Sequence, residues 1–221
     1  MYTLLLSVAL ADPQPAQVLP GAAPIDRRTG ETSWGLAAGY ATGEPAWWVA
    51  GAVLTGIWGV SERVAVNGGL GLSVPEASVW PMVGVRVMVL DRPELHVAPF
   101  AVLVGRYRTD NHTLFTVSGL GLAAEGGWER VRLDASVPLV GATRGSTWPS
   151  SSTGLPQPFL LSTLEAGVTL RLTEAHDLRV GVLSLLPTVS WRYAPGRWFL
   201  EASVSSFGLQ GAAQARAGLR L

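Results

Sequence analysis

The stretch Ala212–Leu221 reads AAQARAGLRL, and from Ala213 it alternates without a break. Ala213, Ala215, Ala217, Leu219 and Leu221 fall on one side. Gln214, Arg216, Gly218 and Arg220 fall on the other. A period of two marks a β-strand, whose successive side chains point to opposite faces. Such a strand needs an apolar medium for its greasy face and a hydrogen-bonding partner along each edge.

The same pattern fills the chain upstream. Val64, Val66, Leu70, Leu72 and Val74 share a face opposite Asn67, Gly69, Gly71 and Ser73. Val79, Val83, Val85, Val87 and Val89 oppose Gly84 and Arg86. Val131, Leu133, Ala135, Val137 and Leu139 oppose Arg130, Arg132, Asp134 and Ser136. Leu164, Ala166, Val168, Leu170 and Leu172 oppose Glu165, Gly167, Thr169 and Arg171. The runs 95–108 and 113–124 are apolar on both faces in places.

Turn chemistry separates the runs, and the connections sort into two alternating sets. The short polar set holds SER at Ser61, LDRPE at Leu90, EGGWER at Glu125, TEAHD at Thr173 and APGR at Ala194. The other set holds GEP at Gly43, PEAS at Pro75, RTDN at Arg108, a long segment from Gly141 to Pro158, LLPT at Leu185 and SSFG at Ser205. Alternate connections at alternate ends make an up-and-down meander of about 12 strands, with ten as the alternative count; even numbers are the rule for bacterial outer-membrane barrels.

Composition narrows the medium. Only 14% of the 221 residues are charged, against about 25% in an ordinary soluble domain. The mean hydropathy is +0.30, yet no run reaches the ~20 apolar residues of a spanning helix. The longest candidate, Ala46–Val60, is interrupted by Gly51, Gly56 and Gly59 and reads as strand. The formal net charge is zero, which argues against a nucleic-acid partner. The chain has no cysteine, which fits an oxidising compartment.

The expected organisation has three parts. Residues 1–11, MYTLLLSVALA, read as a signal peptide with cleavage after Ala11, although no Arg or Lys precedes the apolar stretch. Residues 12–32, rich in Pro, Gly and Ala, read as a flexible periplasmic segment. Residues 33–221 read as the barrel.

A soluble sandwich would also hide sheet edges, but its outer faces would be richer in charge than these. The runs are also longer than the ~5–6 residues of ordinary strands. In hydrocarbon every backbone polar group must be paired internally, which a closed barrel achieves. The aromatics agree with membrane interfaces. Trp34, Trp58, Trp128, Trp191, Tyr193 and Trp198 lie near short-turn ends; Trp47, Trp48, Trp80, Tyr107, Phe115, Phe159 and Phe207 lie near long-loop ends. We take Trp34, Trp58, Trp191, Trp198, Trp47, Trp80 and Tyr107 as the expected girdle.

On the WGVSERVAVNGGLGLSV hairpin from Trp58, the RYAPGRWFLEA hairpin from Arg192 and the terminal strand, residues 33–221 resemble bacterial outer-membrane β-barrel proteins of porin type. The resemblance implies a closed antiparallel barrel in the bacterial outer membrane, lipid around it, and recognition of the C-terminal strand by the barrel-assembly machinery. Such barrels usually end in Phe or Trp; Leu221 stands there in this chain.

If the greasy faces meet lipid, the other faces line a lumen. Parity assigns it Arg86, Arg132, Asp134, Glu165, Arg171, Arg179, Arg192, Glu201, Arg216 and Arg220, with arginine in excess. Folding the hairpins places Asp134 near Glu165 and Glu201 near Arg216, while Arg171 and Arg179 form a positive mouth. A lumen of about 12 strands lies between the filled 8-strand and the open 16-strand cases. Its small residues, Gly69, Gly71, Ser73, Gly84, Ser136 and Gly167, suggest a narrow water-filled passage. The expected function is a narrow passive channel for small solutes, anions among them. The alternatives are a plugged interaction barrel and an outer-rim hydrolase using Asp110 and His112. No cofactor and no metal site is expected, because no His or Cys pair has ligand spacing.

Overall fold

The structure is a computed structural model that describes residues 30–41, 47–74, 77–109, 112–145, 164–183, 186–207 and 210–221. The elements are β1 (Gly30–Ala41), β2 (Trp47–Gly59), β3 (Val64–Val74), β4 (Ser78–Val87), β5 (Leu90–Arg92), β6 (Leu95–Arg108), β7 (Thr113–Trp128), β8 (Val131–Gly145), β9 (Glu165–Arg171), β10 (His176–Leu183), β11 (Leu186–Tyr193), β12 (Trp198–Phe207) and β13 (Gln210–Arg220). No helix occurs among the described residues.

Every pairing is antiparallel. Both β4 and β5 pair with β6, β4 from Ser78↔Arg108 to Arg86↔Phe100 and β5 from Leu90↔Val97 to Arg92↔Leu95. They are one stave interrupted at Met88 and Val89, so 13 segments build 12 staves. The interruption leaves no amide without a partner: Met88 N–H donates to the Arg63 carbonyl at 2.6 Å, and Val89 N–H to that of Val97 at 2.9 Å.

The barrel closes through β1 and β13, in register from Glu31↔Arg220 to Ala41↔Gln210. Trp34 faces Ala217 and Tyr40 faces Gly211, so the terminal alternating stretch closes on the first strand as expected. The boundary at residue 33 moves: Gly30, Glu31 and Thr32 belong to β1, not to a flexible segment. The proposed leader and the long segment beyond Gly145 lie outside the described residues.

Local chemistry sets the short turns. Ser61 Oγ accepts from the Val64 amide at 3.1 Å, and Thr173 Oγ1 from the His176 amide at 3.1 Å. A hydroxyl that bonds its own backbone a few residues on is what makes Ser and Thr turn formers.

The outward face is apolar on every stave with a long run. Leu36, Leu54, Leu70, Leu72, Val83, Leu103, Leu120, Leu139, Val180 and Val204 are all exposed. A belt this extensive far exceeds the apolar patches that soluble monomers show; in hydrocarbon it is the favoured surface. Trp34, Trp58, Trp128, Trp191, Trp198 and Tyr107 are exposed on the outward face. Near the short turns His176, Trp191, Tyr193 and Trp198 gather into one patch, with His176 stacked on Tyr193 at 4.7 Å between centroids. Trp80 departs from the expectation. It shares parity with Met82 and Arg86, points inward, and is only 6% exposed. The Trp47 side chain lies outside the described residues.

The inside is divided. On β2–β7 the inward residues Val53, Trp80, Met82, Phe100, Val102 and Val104 are packed into an apolar crescent with Met88, Ala98 and Ala123. On β8–β13 and β1 the inward residues are mostly charged or hydroxylic. Inward glycines make room for large neighbouring side chains. Gly121 lies against the Phe100 ring and Gly218 against Phe199; a β-carbon at Gly167 would stand 2.7 Å from the Arg179 guanidinium carbon. Each void is filled by a large side chain from the neighbouring strand.

Ala215 sits mid-strand on the lipid face. Ala215→Arg is expected to cost about 2–4 kcal/mol of stability, measured by equilibrium refolding from urea into lipid vesicles.

Candidate lumen site

Five charged groups meet on the polar wall. Arg179 of β10 donates from Nε to Asp134 Oδ1 at 3.1 Å and from Nη2 to Asp134 Oδ2 at 2.5 Å. The same Nη2 lies 2.7 Å from Glu165 Oε1. A guanidinium fork on a carboxylate is the strongest geometry for such a pair. The register explains how both acids reach one arginine. Asp134 pairs with Gly167, and Ser136 pairs with Glu165. The acids are therefore offset by two residues, and Gly167 leaves the space in which Arg179 lies. Farther round, Glu201 and Arg216 are direct cross-strand partners, with Arg216 Nη2 at 2.8 and 2.7 Å from the two carboxylate oxygens.

A second tier lies nearer the short turns. Arg192 Nη2 donates to Glu31 Oε2 at 2.7 Å, and its guanidinium carbon stands 4.1 Å from the Phe199 ring centroid. Arg220 Nε is 3.9 Å from the same Glu31 oxygen. Arg132 approaches Glu125 at 3.4 Å and Asp177 at 3.7 Å, and Arg171 reaches Asp177 at 3.8 Å. Arg171 and Arg179 do not form a positive mouth. Arg171 is in register with Asp177, while Arg179 turns to the acids of β8 and β9.

Arg86 is the candidate that leaves the passage. It is 5% exposed, at the edge of the apolar crescent and in the field of Glu125. The other nine candidates share the polar wall. Sequence reasoning missed Glu31, Glu125 and Asp177, which it assigned to a tail and to turns. One further step of period two would have found them: Glu31 precedes Ser33 by two, Glu125 follows Ala123 by two, and Asp177 precedes Arg179 by two. With them the arginine excess on this wall shrinks: on β8–β13 and β1, Arg132, Arg171, Arg179, Arg192, Arg216 and Arg220 meet Glu31, Asp134, Glu165, Asp177 and Glu201, while Glu125 on β7 stands beside Arg132 and in the field of Arg86.

Exposure, however, is unequal. In the lower tier the Arg132, Arg171 and Arg220 side chains are 42%, 47% and 51% exposed, whereas Glu125, Asp177 and Glu31 are 12%, 23% and 24% exposed. These three arginines are thus more exposed than the three acids, whereas Arg192, on Glu31, is 23% exposed.

Toward the opposite rim, the Arg106 guanidinium carbon stands 4.6 Å from the Trp80 ring centroid, and its Nε donates to Ser78 Oγ at 3.4 Å. Trp80 Nε1 donates to Ser73 Oγ at 3.3 Å. On the rim itself, His112 Nδ1 and Tyr107 Oη are 2.8 Å apart; Asp110 lies outside the described residues. No cluster of metal-ligating side chains occurs among the described residues.

Glu201→Ala leaves Arg216 without its carboxylate in a largely buried position. A loss of about 3 kcal/mol is expected in urea unfolding, with part recovered in the Glu201→Ala/Arg216→Ala double variant.

No family model matches the chain, and no curated protein does. Solved structures similar to it include the KdgM porin, with a TM-score of 0.60 and 7% identity over 86% of this chain and 98% of that one. The COG4313 outer membrane channel from Pseudomonas putida F1 has a TM-score of 0.51 and 10% identity over 95% and 99%. Omp33 from Acinetobacter baumannii has a TM-score of 0.50 and 9% identity over 89% and 100%. With its closed ring of antiparallel staves and its greasy outer belt, the chain has the fold of the bacterial outer-membrane β-barrels.

Proposed function

We propose that the protein is a narrow passive channel of the bacterial outer membrane for small solutes, with a lower mouth that favours anions. The observation that carries this is the exposure asymmetry of the lower tier. The side chains of Arg132, Arg171 and Arg220 are more exposed than those of the acids they approach. A charged ring favours ions of opposite sign, and the exposed sign here is positive. Short turns face the periplasm in such barrels, so this mouth is the periplasmic one.

The passage is eccentric. The crescent on β2–β7 fills one side, which leaves the polar wall of β8–β13 and β1 as the wet path. Similarity to porins and a channel supports a conducting barrel. The KdgM structure holds oligogalacturonate; that ligand belongs to KdgM, and its anionic character accords with the reading offered here.

A second reading, a plugged barrel that acts through its loops, is favoured by one observation: the crescent is packed as tightly as a soluble core, with Ala98 at 0% and Phe100 at 3% exposure. The proposed handle for the barrel-assembly machinery is β13, with Leu219 and Leu221 outward near its end.

Planar-bilayer recording separates these readings. The wild-type barrel is expected to give discrete conductance steps with anion preference. Replacing Arg132, Arg171 and Arg220 with Ser should keep the steps and remove the preference. A wild-type barrel that inserts without steps refutes the channel and leaves the plugged reading.

A further inference from the structure

We propose that Glu165 limits anion passage through the barrel, as a surplus carboxylate set against the two mid-barrel arginines. The inference rests on the channel reading above and names the residue that restrains it.

The charge on the polar wall reverses between tiers. The lower tier holds four guanidinia, Arg132, Arg171, Arg192 and Arg220, against three carboxylates, Glu31, Glu125 and Asp177. The middle tier holds two guanidinia, Arg179 and Arg216, against three carboxylates, Asp134, Glu165 and Glu201. An anion gathered at the periplasmic mouth therefore meets an acidic tier next. Like charges repel with an energy that grows as the local dielectric falls, so a carboxylate in excess of the guanidinia on a narrow path is felt strongly.

Geometry decides which carboxylate is surplus. Asp134 takes both arms of the Arg179 fork. Glu201 takes Arg216 through both of its oxygens. Among the described residues Glu165 has no arginine of its own: its ion pair is to Arg179 Nη2, the nitrogen already engaged by Asp134. In register it faces Ser136 on β8 and Leu183 on β10, neither of them a cation. The charged groups around it are Asp134 on β8, Arg179 on β10, Glu201 on β12 and Arg216 on β13. It is also reachable, with a side chain 20% exposed, slightly more than the 17% of Asp134 and the 18% of Glu201.

Glu165→Gln keeps the shape and an acceptor for Arg179 while removing the charge. In planar bilayers with a KCl gradient at about pH 9, where even a carboxylate crowded by other acids is ionised, the anion-over-cation permeability ratio is expected to rise about twofold or more over wild type. Glu165→Ser should raise it likewise, and urea unfolding of both variants should match wild type. An unchanged ratio in a conducting variant overturns the proposal and leaves the channel reading standing. A variant that cannot fold also overturns it, since a surplus carboxylate is dispensable to the barrel. A wild-type barrel without conductance refutes the channel itself, and this inference with it.

Discussion

A backbone N–H or C=O placed in hydrocarbon has only the protein to bond with, and an unpaired one costs several kcal/mol. The pairing of β1 with β13 is what meets this constraint, because it removes the last two free edges. The broken stave at Met88 and Val89 obeys the same rule. Its amides turn to Arg63 and Val97 and stay bonded through the irregularity. Closure then dictates the rest. With one face of each strand committed to lipid, every other side chain is turned into a confined interior, and charges there must be paired.

The two halves of that interior are two solutions to confinement. On β2–β7 inward side chains pack against each other as in a soluble core. On β8–β13 and β1 they include arginines and carboxylates paired with the adjacent strand, as Arg216 is with Glu201, or across several, as Arg192 is with Glu31 over the Phe199 ring. The first solution excludes water and the second tolerates it. The path of the proposed channel follows the second.

Much of this was legible in the sequence because period two is imposed by backbone geometry. The alternation in 212–221 was enough to place a closing strand, and its partner near Trp34 followed from closure. The double-faced apolarity of 95–108 made sense only with the structure: Leu103 meets lipid, while Phe100, Val102 and Val104 meet the crescent. Trp80 was misplaced because its position near a strand end was weighed above its parity. Glu31, Glu125 and Asp177 were missed because a charge beside a turn looks like turn chemistry until the strand is known to continue. The offset of Asp134 from Glu165 depends on strand register across a long connection, which no local pattern encodes.

The glycine sockets carry a consequence for the calibre of the bore. Gly121 with Phe100, Gly218 with Phe199 and Gly167 with Arg179 each assign bulk to one strand and vacancy to the next. Enlarging the glycine alone would wedge two bonded strands apart, and shrinking its partner alone would leave a hole. Exchanging the members of a pair would conserve volume while moving the obstruction to another point of the wall. The width of the lumen is thus written in couples rather than in single residues, and a relative with a wider or narrower bore would differ from this chain two positions at a time.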